Sequence, residues 1–285
     1  MLELSIFVRS IMAINFKKIP RYCTLQAYKK LPQALQYSNK NYPSLTFLKE
    51  QNWSRDQIYD NLYQYFDYDL PISIFKHRHY FDQVSKGSYR GCGEDPFHAM
   101  WFLLFKEFRP VNCLEVGVYR GQTISLWALL SAYFDYSANI SAISPFAPVG
   151  DEVSIYEDTL NYLDDTIENH HYFHLPIPEF CRALSTDTQA IELIESKRWD
   201  LIYIDGGHDY DVVLHDIQCA IKNLSPNGLI VMDDSSLYFD FSSKSGRFKG
   251  HDGPSLVTKE MLEAHKLELV LGVGHNNVLR LASRH

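Results

Sequence analysis

The chain has 285 residues, a formal net charge of −8, and 46% hydrophobic and 22% charged residues. Those fractions belong to an ordinary folded globule and exclude disordered and collagen-like classes, while the length suits one large domain carrying an extension. The negative balance argues against a protein that binds nucleic acid mainly through phosphate contacts, which need clustered Lys and Arg, and leaves small molecules or uncharged polymers as expected partners.

Five cysteines, Cys23, Cys92, Cys113, Cys181 and Cys219, are scattered and odd in number. They give neither a disulfide framework nor a paired-cysteine zinc motif, which fits a reducing cytoplasm. The apolar run from Leu2 to Ile14 is interrupted by Glu3 and Arg9. Nothing approaches the roughly 20 apolar residues of a membrane span, so a cytoplasmic protein without a membrane partner is expected.

From residue 1 to 95 the chain is rich in Tyr, Lys, Asn and Gln, with amphipathic helices predicted over Leu25–Gln36 and Ser54–Phe66. This stretch is read as a mostly helical extension, a lid or an element of a homo-oligomer; its aromatic residues with polar handles suit acceptor specificity or a dimer contact equally. The glycine-rich segment Lys86–Pro96 reads as a linker or as a loop that closes on a ligand.

From residue 96 to 285, strand-length apolar runs alternate with helical segments. Helix Phe97–Phe108 feeds a first strand, Val111–Gly117; helix Gly121–Phe134 leads to a second, Ile140–Ser144. A long helix over Asp151–Asn169 precedes a third strand, Phe180–Leu184, and helix Asp187–Ser196 precedes a fourth, Asp200–Asp205. Helix Val212–Asn223 and the turn Ser225–Gly228 lead to Leu229–Met232 and the pair Asp233–Asp234. Helix Ser255–His265 and strands Leu267–Leu271 and Asn277–Leu281 complete the pattern. The expected fold class is α/β: a doubly wound, Rossmann-like, mainly parallel seven-stranded sheet with an antiparallel C-terminal strand pair, whose ligands bind beyond the carboxyl ends of the strands.

Leu114-Glu115-Val116-Gly117-Val118-Tyr119-Arg120-Gly121 lies where the first strand turns into its helix. Its two glycines permit a tight turn and close approach of a ligand, and equally suit a turn with no ligand. A dinucleotide fingerprint wants three glycines beneath a pyrophosphate; two glycines and an acid at the strand end fit that anion poorly. On these residues the chain resembles the class I S-adenosylmethionine (SAM) dependent methyltransferases, in which an acid, a glycine and a second glycine four residues on hold the methionine end of the cofactor. By that resemblance Glu115, Gly117 and Gly121, with Tyr119 in the same turn, line a SAM site. The family often ends its second strand in an acid that binds the ribose hydroxyls; here Ser144 stands there, so either Ser144 or another residue serves the ribose. Ser185 falls where the family places adenine contacts, and it equally suits a helix N-cap.

Trp199–Tyr210 and Leu229–Asp234 put acids at the ends of two neighbouring strands. Asp205, Asp233 and Asp234 converge on one sheet edge, where mutual repulsion calls for a cation or for hydrogen bonds. Oxygen donors suit magnesium, manganese or calcium, whereas single acids at strand ends commonly cap helices. The pattern resembles the branch that includes metal-dependent sugar O-methyltransferases of macrolide and aminocoumarin biosynthesis. That resemblance covers about residues 97–281 and implies that Asp205, Asp233 and Asp234 hold magnesium. His208, three residues beyond Asp205, reads as a general base or as a structural histidine, and a metal would share in deprotonation. His251 and His275, without partners at ligand spacing, read as solvated or structural; Asp209 and Asp216 read as exposed helix charges.

The expectation is therefore methyl transfer from SAM to a hydroxyl of a small molecule or sugar, metal-assisted, with Asp205 and His208 catalytic. Its rivals are a metal-independent methyltransferase, a SAM- or carbohydrate-binding protein without turnover, and, less favoured for want of a three-glycine fingerprint, a nucleotide-sugar or dehydrogenase function on the same fold.

Overall fold

A computed structural model describes residues 44–149, 156–157, 159–241 and 247–283. The helix expected over Leu25–Gln36, and Cys23, lie outside the described residues. The described residues on both sides of the expected boundary near Asp95 belong to one compact unit.

Helices α1 (Leu45–Glu50), α2 (Arg55–Asp69) and α3 (Ile72–Phe81) open this unit. Ser44 caps α1, and a reciprocal Ser54–Gln57 capping box starts α2, satisfying amides that a first turn leaves without partners. A two-residue hairpin, β1 (Val84–Ser85) and β2 (Ser88–Tyr89), turns at Lys86 and Gly87. Both have positive φ, +54° and +95°, as a tight turn of this twist demands. Helix α4 (Asp95–Phe108) begins with Pro96 in its first turn, where a missing N–H costs nothing. Buried from Asp95 to Phe105, it packs against α2, and both α2 and α4 reach the far sheet edge.

The sheet consists of β3 (Asn112–Val116), β4 (Asn139–Ile143), β5 (Glu179–Cys181), β6 (Trp199–Ile204), β7 (Leu224–Met232), β8 (Leu267–Val273) and β9 (Asn276–Leu281). Their order is β5-β4-β3-β6-β7-β9-β8, parallel except for the antiparallel pairings of β9 with β7 and β8. Helices α5 (Gln122–Tyr133), α6 (Tyr162–Tyr172), α7 (Thr188–Glu195), α8 (Tyr210–Asn223) and α9 (Asp252–Glu263) fall between strands. The expected Rossmann-like architecture is the one observed. The helix expected over Asp151–Asn169 is described only as α6; residues 150–155 and 158 lie outside the described set.

Alternation along the strands builds two cores. Leu114, Val116, Ile202, Ile204, Ile230 and Met232 face one way, onto Val213, Ile217 and Val257 from α8 and α9. Glu115 and Tyr203, register neighbours, belong to the other side, where Trp101 of α4 and Trp127 of α5 meet the Tyr203 ring edge-on. The turn Ser225–Gly228 appears inside β7 as a bulge: pairing passes from Trp199↔Leu224 to Leu201↔Leu229.

The strand order reverses beside β3. The chain moves outward from β3 to β4 and β5, then returns to β6 on the other flank. A crevice therefore opens above the carboxyl ends of β3 and β6.

Candidate active site

Backbone bonds carry the sheet one step past its strands. Gly117 donates to the Ile143 carbonyl (2.8 Å), Asp205 to Val116 (2.8 Å) and Asp233 to Ile204 (3.0 Å). Gly117, Asp205 and Asp233 thus stand in register along one rim.

Gly117, at φ +94°, lies so close to β6 that a Cβ would overlap the Asp205 carbonyl. Gly121, at φ +76°, caps α5, and its Cβ would approach Thr166 Cγ2 to 2.6 Å. Chain packing alone therefore demands glycine at both positions. Glu115 is buried; its carboxyl bonds the Thr123 side chain and the Ile124 amide, yet Oε2 has no partner. Desolvation pushes it well above the usual carboxylate range, with Asp233 adding to the shift.

The remaining residues expected at the cofactor are engaged within the protein. Tyr119 donates its hydroxyl to Ser88 Oγ (3.0 Å) and packs against Tyr156 and Tyr162. Ser144 donates to the Val118 carbonyl (3.0 Å) and accepts from the Phe146 amide (3.3 Å), tying the end of β4 to the glycine turn. Ser185 hydrogen-bonds Asp216. Asp216 is buried at 2% exposure, correcting its reading as an exposed helix charge, whereas Asp209 is exposed at the N-cap position of α8.

The acids do converge, with more partners than the sequence showed. Asp205 and Asp233 are hydrogen-bonded to each other, and both carboxyls are raised, first by desolvation and then by neighbouring acids. Tyr203 donates to Asp233 Oδ2 (2.7 Å). Asp234, at φ +50°, directs its two oxygens differently. Oδ2 lies 3.0 Å from His208 Nε2 and 3.6 Å from His251 Nε2; Oδ1 lies 3.7 Å from His275 Nε2. The same His275 nitrogen is 3.3 Å from Asp233 Oδ1. Two groups have donor atoms all within 4.8 Å of one another: Asp233, Asp234 and His275, and His208, Asp234 and His251. Asp205 belongs to neither and reaches them through Asp233.

His251 and His275, read as solvated or structural, are therefore partners of the acids. Each follows a positive-φ glycine, Gly250 or Gly274, in a loop at this rim. The signal for His275 was topological. An antiparallel β9 beside β7 brings the β8–β9 turn to the carboxyl end of β7, and Met232 does pair with Asn277. Arg120 was also missed. It is fully buried, pairs with Asp165 (2.6 Å) and donates to the Ser85, Ser88 and Tyr89 carbonyls, fastening the β1–β2 hairpin beside the glycine turn. The following loop also nears the acids: Gly93 donates to Gln122 Oε1 (2.8 Å), and the Cys92 thiol is raised by desolvation and then by Asp233 and Asp234. All four described cysteines are free.

Residues 114–235, which carry the glycine turn and all three acids, match the sequence family described as Methyltransferase domain. A curated relative, the Uncharacterized protein y4gI of Sinorhizobium fredii, is 28% identical over 160 residues, or 56% of this chain. The match covers only 16% of that relative's length. Among solved structures, the SAH-bound Podospora anserina methyltransferase PaMTH1 is similar in fold, with TM-score 0.56, 14% identity, 81% of this chain and 98% of that one. The O-methyltransferase from Bacillus cereus in complex with SAH aligns at TM-score 0.46 and 14% identity, over 84% of this chain and 96% of that one. The expected fold is thus shared with the Podospora methyltransferase, and the family match covers residues 114–235. Among the described residues no helix is long and apolar enough to cross a membrane.

Proposed function

We propose that this chain transfers a methyl group from SAM to a hydroxyl of a small molecule or sugar, with a divalent ion at the ends of β6 and β7. The observation that carries this reading is the rim itself: a glycine turn in register with Asp205 and Asp233, and Asp234 faced by three imidazoles. The SAH named for the Podospora methyltransferase supports the choice of cofactor.

The residues present fit both groups. Glu115 Oε2 is a buried acceptor without a donor, which an ammonium or hydroxyl would satisfy. Asp233 Oδ1 is likewise buried without a hydrogen-bond donor, beside carboxyls whose raised affinity for protons is what repulsion in a desolvated site produces. A divalent cation held by Asp205, Asp233 and Asp234 would take the place of those protons. Gly117–Gly121, Glu115 and Tyr119 would hold SAM, with Ser144 and Ser185 on its nucleoside side; because both hydroxyls already have protein partners, ribose recognition would rest largely on other groups.

The reaction forms an O–CH3 bond and breaks the S–CH3 bond of a sulfonium, whose bonding pair stays on sulfur. The hydroxyl proton passes to His208, and Asp234, 3.0 Å from its Nε2, stabilises the imidazolium that results. The ring-nitrogen tautomer follows from that pairing. A divalent ion, when bound, acidifies a hydroxyl beside it, so the histidine and the ion share the deprotonation. The rim's main contribution is orientation.

A metal-independent enzyme is the second reading. The imidazoles already stand 3.0 to 3.7 Å from the Asp233 and Asp234 oxygens and, once protonated, neutralise them without an ion. Conversion of SAM to SAH across a panel of sugars and phenols, with chelator and with added ions, separates the two. Chelator-sensitive turnover that Asp205→Asn abolishes in a folded protein supports the metal-assisted reaction. Turnover indifferent to chelator overturns it, and no turnover with any acceptor favours a binding protein.

A further inference from the structure

We propose that the ion at this rim is a first-row transition metal, with the His275 imidazole as a ligand beside Asp233 and Asp234, rather than magnesium in an all-oxygen site. This inference rests on the metal-assisted reading and specifies its ion.

Ligands that share one ion at roughly 2.0–2.2 Å stand about 3–4 Å apart in tetrahedral or octahedral geometry. His275 Nε2 is 3.3 Å from Asp233 Oδ1 and 3.7 Å from Asp234 Oδ1, and all three atoms fall within 4.8 Å of one another. Asp233 Oδ1 is buried without a hydrogen-bond partner, so this atom has an acceptor site to fill.

The imidazole is built into place. Its ring meets Phe97 edge-on at 4.7 Å between centroids and Phe248 at 5.3 Å, which fixes the plane with Nε2 toward the acids. The His275 carbonyl accepts from the Ser235 amide (2.9 Å), binding the turn to the residue after Asp234. Arg55 from α2 donates to the Gly274 and Asn276 carbonyls on either side of His275. A surface histidine that merely neutralised an acid would need none of this support.

Imidazole changes which ion is preferred. Magnesium takes oxygen ligands and keeps its waters, whereas mixed imidazole and carboxylate donors favour manganese, iron, cobalt or zinc. His208 stands outside this ligand group, with its Nε2 on the other oxygen of Asp234.

The test loads chelator-treated full-length protein with Mn2+ and reads 14N modulation by pulsed EPR, alongside calorimetric titrations with Mn2+ and Mg2+. Expected are one Mn2+ bound more tightly than Mg2+, with an imidazole 14N coupling. The coupling is lost and Mn2+ binding weakened by at least about tenfold in His275→Gln, and both persist in His251→Gln. Wild-type Mn2+ binding without 14N coupling, equal preference for Mg2+, or a coupling that survives His275→Gln overturns the ligand assignment and leaves the metal-assisted reading standing. Absence of binding by either ion overturns both.

Discussion

Gly117 owes its identity first to a neighbouring chain segment. A Cβ there would overlap the Asp205 carbonyl, and the backbone sits at φ +94°. Gly117→Ala should therefore cost about 3 kcal/mol in urea denaturation, from left-handed strain and separation of the β3 and β6 loops; an unchanged midpoint would contradict this. A second prediction concerns pH. Glu115, Asp205 and Asp233 have raised carboxyl pKa values in the fold. The native state then holds protons that the unfolded chain releases near pH 4, so their stabilising contribution is full below that pH and is lost as pH rises toward the raised values. Metal-free Asp205→Asn, with one titrating partner removed, should lose less thermal stability between about pH 4 and pH 8 than the wild type; parallel profiles would refute the coupling. Asp205 and the pair Asp233–Asp234 were legible because each follows an apolar strand. Asp216 was misread although its position gave the answer: with Val213, Ile217 and Ala220 it occupies the buried stripe of α8.

At the scale of elements, apolar periodicity located the sheet strands and most helices after residue 96 to within a few residues. What it could not supply was the service rendered by residues 44–94, whose polar and aromatic composition hides how deeply they pack. Arg55 shows the link. Its buried guanidinium, pushed down to about 10 by desolvation, bonds Ser236 Oγ (2.8 Å) and Asn277 Oδ1 (2.7 Å) as well as the carbonyls flanking His275. Arg55→Ala strands these acceptors and should destabilise the fold by about 3 kcal/mol, with weaker metal binding as the His275 turn loosens. Denaturation and metal titration of that variant check both effects, and unaltered values would show that α2 is not coupled to the rim. The Ser54–Gln57 capping box was legible as a helix start; the long-range partner of Arg55 was not, because burial of a charge is decided by residues more than 180 positions away.

Across the molecule, topology makes the site. Reversal of strand order beside β3 opens the crevice, and the antiparallel return of β9 carries a histidine to acids that parallel strands alone would leave with fewer partners. On the proposed function, SAM occupies this crevice against the glycine turn. Hydrogen–deuterium exchange with and without saturating SAM tests it most directly, since it reports location and needs no knowledge of the acceptor. Slowed exchange across residues 115–121 and 143–146, with SAH giving the same footprint, is the predicted result. Unchanged exchange in both segments, or protection confined to another part of the chain, would contradict the account.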